Sequence, residues 1–167
     1  MAKKHSGGTP ATVALERAGV PFVLRPYPHR ADVTSYGQEA ADALGLDPRR
    51  VFKTLVAELT NPGAGSGELV VAVVPVATTL DLKALAAALG AKRAAMADPA
   101  AASRSTGYVL GGISPLGQRS RLRTVLDTSA DRYATVLVSA GKRGLQLELA
   151  PADLVRATAA LRAPIGA

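Results

Sequence analysis

Residues 69–76 read Leu-Val-Val-Ala-Val-Val-Pro-Val, a run that is apolar throughout. A short continuous apolar run with many β-branched side chains is typical of a strand that is buried on both faces. Residues 61–67 before it read Asn-Pro-Gly-Ala-Gly-Ser-Gly, which is the composition of a loop. Residues 51–59, ahead of that loop, form another apolar run that contains Lys53. The sequence therefore predicts two strands, 51–59 and 69–76, with a loop between them.

Helix and strand signals alternate along the rest of the chain. Thr9-Pro10 predicts a helix start, with a capping hydroxyl before a proline at the first helical position, and Gly19 predicts its end. The other predicted helices span 34–44, 82–89, a short segment from 98–99, and 151–161. The other predicted strands span 21–27, 91–97, 124–126, 135–138 and 145–149.

The last two of these strands flank a tight turn at 141–144 and so predict an antiparallel hairpin. Interspersed helices and strands with antiparallel pairing indicate an α/β (α+β) fold, a mixed sheet flanked by helices. Residues 1–8 are predicted to be a disordered tail, and residues 9–167 a single domain, since the length of 167 residues fits one domain.

Composition excludes several classes of function. The net charge of +7 and the pI near 10.1 favour an anionic partner, first of all a nucleic acid, and the alternative is a basic protein with scattered surface charge. The absence of cysteine removes disulfides, thiolate zinc sites and a cysteine nucleophile. With His5 in the tail, a Ser-His-Asp triad would depend on His29 alone. No membrane span or secretory signal is recognisable, so the cytoplasm is the expected location.

Lys53 stands out because it lies inside an apolar strand. Burying a lysine is costly unless its amine reaches a cleft or a partner. One interpretation is a fixed cation that holds a phosphate or a carbonyl oxygen. The other is an edge-strand lysine that extends to water and blocks aggregation. The local sequence favours neither.

Two loops are further candidates. Residues 111–117 read Gly-Gly-Ile-Ser-Pro-Leu-Gly, and the N–H groups of such a loop can bind an anion or an oxyanion. Taken alone, the segment favours an ordinary connection rich in turns. Residues 139–144 read Ser-Ala-Gly-Lys-Arg-Gly, which combines a hydroxyl group with two cations. This segment suits contact with a nucleotide backbone or a substrate ester, or else is a hairpin turn with solvated charges. It does not fit the P-loop pattern.

In this order and spacing, six segments of the chain resemble the YbaK/EbsC family, and in particular its Cys-tRNA(Pro) deacylase branch. They are Phe52-Lys53-Thr54-Leu55, Leu80-Asp81-Leu82-Lys83, Met96-Ala97-Asp98-Pro99, Arg104-Ser105-Thr106-Gly107-Tyr108, and the loops 111–117 and 139–144. The resemblance extends from about residue 10 to residue 161. It implies the fold shared with the editing domain of prolyl-tRNA synthetase, a mixed and partly barrel-like β-sheet surrounded by helices.

The resemblance also implies a site. It makes Lys53 the central, catalytic residue. Together with the loop residues above, the candidate substrate-binding residues are Tyr27, Tyr36, Thr54, Gly111, Gly112, Ser114, Ser139, Gly141 and Gln146. Gln146 departs from the family pattern, which has an aspartate after the Lys-Arg-Gly-Leu turn. Neither a metal nor a cofactor is expected.

The function implied is hydrolytic removal of cysteine from Cys-tRNA(Pro). The substrate thiol would attack its own ester, while Lys53 anchors the terminal phosphate or the ester, and N–H groups around Gly111-Gly112 or Gly141 hold the carbonyl oxygen. The expected partners are aminoacyl-tRNA(Pro) and prolyl-tRNA synthetase, without membrane or DNA. The alternatives are a deacylase for Ala-tRNA or another aminoacyl-tRNA, and a non-catalytic module that binds tRNA or a synthetase.

Overall fold

The computed structural model describes residues 8–61 and 67–167. Residues 1–7 of the predicted tail and residues 62–66 of the predicted loop lie outside the described residues. The five α-helices described are α1 (Pro10–Ala18), α2 (Tyr36–Leu44), α3 (Leu82–Ala88), α4 (Pro99–Thr106) and α5 (Pro151–Thr158). The eight strands described are β1 (Val23–Pro26), β2 (Phe52–Thr60), β3 (Glu68–Pro75), β4 (Arg93–Met96), β5 (Arg123–Asp127), β6 (Val136–Lys142), β7 (Leu145–Leu149) and β8 (Leu161–Ala163).

The helices α1 and α4 begin where the capping signals place them. The Thr9 hydroxyl accepts the N–H of Thr12 at 3.2 Å, and Pro10 is the first residue of α1. The Asp98 carboxylate caps α4 in the same way, by accepting the N–H of Ala101 at 3.1 Å. These contacts satisfy N–H groups that have no partner within the helix, which is why the caps fix the helix starts.

The strands form two sheets. One has the order β1-β7-β6 and is antiparallel throughout. The other has the order β4-β2-β3-β5-β8, antiparallel from β4 to β3 and parallel from β3 to β8. The sheets meet where Val51 bridges Leu137, and the described strands do not close into a ring. This is the mixed α/β arrangement that the sequence predicts.

The strand β3 is buried on both faces, as its apolar run predicts. Val71 and Val73 face the larger core cluster, which also contains side chains of α1, β5, β6 and β7. Val70 and Val74 face the opposite cluster, which packs under α3. A third, small cluster fixes α2 over the junction of the two sheets, through Ala41, Val51 and Leu137.

The prediction of a last helix reaching residue 161 is wrong. The helix α5 ends at Thr158, because Ala159 adopts a left-handed conformation with a φ of 55°. Residues 161–163 then run parallel to β5, with Val125 opposite Leu161. This position carries no glycine, so no local signal marks the end of the helix. Among the described residues, no helix combines the length and the apolar character that crossing a membrane requires.

Candidate active site

An open cleft of about 390 Å³ lies beside the junction of the two sheets. It is bounded by the start of α2, by β2, by the loop after α4, and by the hairpin of β6 and β7. The lining residues are Ser35, Tyr36, Gly37, Gln38, Phe52, Lys53, Thr54, Leu55, Val76, Leu110, Gly111, Ile113, Ser139 and Gln146. Six of the ten predicted site residues are among them: Lys53, Tyr36, Thr54, Gly111, Ser139 and Gln146.

The cleft forms where one edge of β2 has no partner strand. β2 pairs with β3 from Phe52 to Leu59, but with β4 only from Ala57 to Thr60. In the part of the chain that the structure describes, no strand pairs with residues 52–55 along the second edge. An unpaired strand edge offers backbone N–H and C=O groups to whatever lies beside it, so this stretch is suited to meet a substrate.

Lys53 lies on this stretch and is the single charged residue among the lining residues. Burial lowers the pKa of its ammonium group. No carboxylate of the described residues forms a salt bridge with it. A partly desolvated cation without a protein counterion favours the binding of an anionic or strongly polarised oxygen.

Two polar atoms of the lining residues have no hydrogen-bond partner in the described residues. They are Oγ1 of Thr54 and Oε1 of Gln146, and both are buried. Gln146 is only 6% exposed. Leaving a buried acceptor unsatisfied costs about 1–3 kcal/mol. Such atoms are usually paired, so these two mark a place where a ligand can supply the missing contact.

Tyr27 is buried and does not belong to the cleft lining. Burial raises the pKa of its hydroxyl group, and the negative charge of Glu39 raises it further, whereas hydrogen bonds from Gly144 and the Gln146 amide oppose the shift. The amide of Gln146 therefore contacts Tyr27, while its Oε1 has no partner. Glu39 in turn binds Nδ1 of His29 at 2.7 Å.

The loop at Gly111 approaches Tyr36 and Arg143 so closely that only glycine fits. Gly111 has a φ of 86°, and a Cβ placed there would lie 2.8 Å from the Tyr36 ring and 2.9 Å from Nε of Arg143. The structure pairs its N–H with no acceptor among the described residues. Gly111 thus retains a free backbone donor at the cleft.

Three other predicted site residues lie outside the lining and use their polar groups within the fold. The N–H of Gly112 donates to Val109 O at 2.9 Å, and the N–H of Gly141 donates to Oγ of Ser139 at 3.1 Å. Ser114 is 0% exposed, and its hydroxyl accepts the N–H of Leu116 at 3.2 Å. The backbone donors expected at Gly112 and Gly141 are therefore occupied.

Arg143 lies beside the cleft, although the sequence indicates only a charged residue in a hairpin turn. It donates from Nε and Nη2 to Leu110 O at 2.9 and 2.6 Å, and its guanidinium lies 4.7 Å from the centre of the Tyr36 ring. Its place between Gly141 and Gly144 is the one feature of the sequence that points to a role, because its contact partners lie far away along the chain. The described residues contain no group of three or more histidine or acidic side chains that suits a metal ion.

Comparison with known proteins places this chain in a family. The sequence is 38% identical over 156 residues to the Enterococcus faecalis protein named "Putative Cys-tRNA(Pro)/Cys-tRNA(Cys) deacylase EbsC", which covers 93% of this chain and 92% of that protein. A crystal structure described as "a putative trans-editing enzyme for prolyl tRNA synthetase" matches with a TM-score of 0.78 and 24% identity, over 99% of each chain. The crystal structure of the hypothetical protein APE2540 matches with a TM-score of 0.81 and 23% identity, over 95% of this chain and 99% of the other.

The two solved structures confirm the predicted fold. The sequence model described as the aminoacyl-tRNA editing domain matches residues 31–157, a range that includes Tyr36, Lys53, Gly111 and Gln146. The YbaK/EbsC resemblance is likewise confirmed by the relative from E. faecalis. This chain belongs to the aminoacyl-tRNA editing domain family.

Proposed function

We propose that this protein is an aminoacyl-tRNA deacylase that hydrolyses the cysteinyl ester of Cys-tRNA(Pro). Family membership supports the reaction class, and the 38% identity to a protein named for this substrate supports the amino acid. The observation that carries the proposal is the composition of the cleft. It holds one cation without a counterion, Lys53, and two buried oxygens without partners, in Thr54 and Gln146.

The chain offers no evident nucleophile for the ester. It has no cysteine, and no histidine lines the cleft beside the hydroxyl groups of Ser35, Thr54 and Ser139. Activation of a serine or threonine requires an adjacent base. Water or the substrate must then supply the nucleophile. We propose the thiol of the substrate itself, which is the mechanism that the resemblance to the Cys-tRNA(Pro) deacylase branch suggests.

The proposed reaction has two steps. The substrate sulfur forms a bond to the ester carbonyl carbon, the bond from that carbon to the tRNA oxygen breaks, and the thiol proton passes to the departing oxygen. The product is a four-membered cyclic thioester, which water opens to free cysteine. Holding sulfur and carbonyl carbon in contact is the main contribution of the protein, because orientation of this kind replaces a costly loss of freedom in the transition state.

Each group of the cleft takes a role in this proposal. The Lys53 ammonium anchors the terminal phosphate or the ester, and the free N–H of Gly111 donates to the carbonyl oxygen as negative charge develops there. Gln146 and Thr54 contact the cysteinyl part. Tyr36 forms a wall, and Tyr27 orients the Gln146 amide. Ser139 acts as a wall as well, since its hydroxyl accepts a hydrogen bond from Gly141.

Substrate selection is divided between chemistry and a partner. A pocket gains only about 1–3 kcal/mol from a difference of one methylene group, so the requirement for a thiol excludes alanine and serine more strongly than fit does. The net charge of +7 suits sequence-independent contact with the tRNA backbone. Selection of tRNA(Pro) then falls to prolyl-tRNA synthetase, with residues 9–167 acting as one editing domain in the cytoplasm.

Hydrolysis of Cys-tRNA(Pro), Ala-tRNA(Pro) and Pro-tRNA(Pro) tests the proposal directly. We expect loss of the cysteinyl ester alone, and resistance of S-methylcysteinyl-tRNA(Pro), in which sulfur carries no proton and is blocked. Cleavage of the alanyl ester would contradict the thiol mechanism and point to a deacylase for another aminoacyl-tRNA. Failure to cleave any ester in the presence of prolyl-tRNA synthetase would leave a binding module.

A further inference from the structure

Arg143 joins three of the four elements that bound the cleft. It lies at the turn between β6 and β7, and it donates two hydrogen bonds to Leu110 O in the loop after α4. Its guanidinium carbon lies over the ring of Tyr36, at the start of α2. Each of these elements contributes lining residues.

Arg143 is exposed, but its contacts differ from those of the ion pairs on the surface. Among the described residues, no carboxylate forms a salt bridge with its guanidinium. Its two partners are neutral: a carbonyl oxygen reached by two N–H groups, and the face of an aromatic ring. Only a planar guanidinium can make both contacts together, because an ammonium group neither forms a fork nor stacks flat on a ring.

Gly111, which lines the cleft, is packed against both Arg143 and Tyr36. A Cβ at Gly111 would meet the Tyr36 ring on one side and Nε of Arg143 on the other, at 2.8 and 2.9 Å. The backbone of Gly111 is therefore packed against the Tyr36 ring and the guanidinium of Arg143. A shift of this loop would move the N–H relative to the other lining residues.

We propose that Arg143 is a positioning residue, which holds the Leu110-Gly111 segment against Tyr36 so that the Gly111 N–H and the cleft wall keep the geometry needed for the reaction. This inference rests on the proposed deacylase activity. It assigns no direct contact with substrate to Arg143. Its effect on the reaction passes through Gly111 and Tyr36.

The kinetic test compares Arg143→Ala and Arg143→Lys with Lys142→Ala, which removes a charge from the same turn without touching Leu110. With Cys-tRNA(Pro) as substrate, we expect Arg143→Ala to lower kcat by about 10- to 100-fold with KM within about threefold, since a shift of about 1 Å can cost about 100-fold. Arg143→Lys restores the charge but not kcat. Lys142→Ala keeps kcat within about twofold of the wild type.

Hydrogen exchange of the amides at residues 109–113 gives a second readout that does not depend on activity. We expect exchange at this segment to speed up about tenfold in Arg143→Ala and in Tyr36→Leu, but not in Lys142→Ala or in Tyr36→Phe, which keeps the ring. Should Arg143→Ala fail to fold, the two Tyr36 variants still decide the question. If the wild type cleaves no ester, the proposed function fails, while the exchange measurement still tests the contact.

Three results would overturn the inference. A raised KM with unchanged kcat in Arg143→Ala would make Arg143 a contact for the tRNA backbone. Full recovery of kcat in Arg143→Lys would show that charge alone matters. Unchanged exchange at residues 109–113 would show that Arg143 does not hold the loop.

Discussion

The Asp127 carboxylate accepts the backbone N–H of Ile165 at 2.9 Å, which fixes residues 165–166 against the end of β5. The same oxygen accepts the N–H of Gly166 at 2.8 Å, and the other oxygen accepts from Ser129. Asp127 is only 6% exposed. Its burial raises the pKa of the carboxyl group, but the hydrogen bonds from Ser129, Gly166 and Ile165 outweigh that effect and leave the pKa below its usual value.

The Asp127→Asn variant is expected to be less stable by about 1–3 kcal/mol at neutral pH, because an amide cannot accept hydrogen bonds at both positions. A lowered carboxyl pKa stabilises the fold above the unfolded value of about 3.9, and this contribution disappears as the pH falls through the folded value. The difference in unfolding free energy between wild type and variant should therefore narrow as the pH falls below the unfolded pKa of about 3.9, as measured by urea unfolding. The control is Asp131→Asn, whose exposed pair with Arg162 is worth about 0–1 kcal/mol. Equal losses in the two variants would contradict the expectation.

Arg50 and Glu148 form a second long-range contact, at the junction of the two sheets. The Arg50 guanidinium donates to Thr135 O at 3.0 Å and to the carboxylate of Glu148. The pKa of Glu148 lies below its usual value, first because the Thr135 hydroxyl donates to it and further because Arg25 and Arg50 lie close. We expect Arg50→Met to lower the free energy of unfolding by about 1–3 kcal/mol, since it leaves these acceptors short of a donor.

The neighbouring residue supplies the matched control for this prediction. The side chain of Arg49 is 72% exposed and forms a direct ion pair with Asp47 at the protein surface. Arg49→Met should change the free energy of unfolding by no more than about 0.5 kcal/mol. Thermal unfolding of both variants measures the difference, and similar midpoints would show that the Arg50 contacts add nothing to stability.

Thr54→Val is expected to raise stability and lower activity. The Thr54 hydroxyl is buried without a partner, so replacing it with a methyl group of similar shape should add about 0.5–2 kcal/mol to the free energy of unfolding. The same change removes a contact of the cysteinyl group and should lower kcat/KM about tenfold, since a hydrogen bond is worth about 1 kcal/mol or more.

Thr106→Val is the control for this prediction. In the wild type the Thr106 hydroxyl donates to Ala102 O at 2.8 Å, so this variant should lose stability and keep its activity. A Thr54→Val protein that is both less stable and fully active would refute the assigned role.

Helix starts could be predicted because their signals are local. Thr9 and Asp98 each precede a proline, and the caps form within three residues. The end of the last helix could not be predicted in this way. Ala159 adopts a left-handed conformation without being glycine. Residues 161–163 become a strand because β5 offers an edge for parallel pairing, in which Leu161 lies opposite Val125, about 36 residues earlier in the chain.

The candidate site divides along the same line. Lys53 and Thr54 attract attention locally, because a charged and a polar residue interrupt an apolar strand, and both line the cleft. The role of Arg143 depends on Leu110, 33 residues earlier. The resemblance predicts oxyanion donors around Gly111-Gly112 or Gly141, yet in the fold the N–H groups of Gly112 and Gly141 each donate to an acceptor within the protein. Composition indicates which groups are present, whereas only the tertiary arrangement decides which remain unpaired.

Lys53→Met should nearly abolish activity and stabilise the fold. Removal of the cation that anchors the terminal phosphate or the ester should cost about 100-fold in kcat/KM, because no other charged residue among those described lines the cleft to replace this charge-assisted contact. Burial lowers the pKa of the Lys53 ammonium, so folding disfavours its charged form, and this penalty is present below the folded pKa and vanishes as the pH rises. The neutral side chain avoids this penalty and should add about 0.5–1 kcal/mol to the free energy of unfolding at neutral pH.

The pH profile gives a second test of Lys53. Because the reaction needs the cation, wild-type activity should fall on the alkaline side as the pH rises through the lowered pKa, once spontaneous ester hydrolysis has been subtracted. Lys53→Arg stays charged and should lose that alkaline limb, while Lys83→Met, on an exposed lysine of α3, should match the wild type throughout. An unchanged alkaline limb in Lys53→Arg, or an active Lys53→Met, would show that another group carries this step.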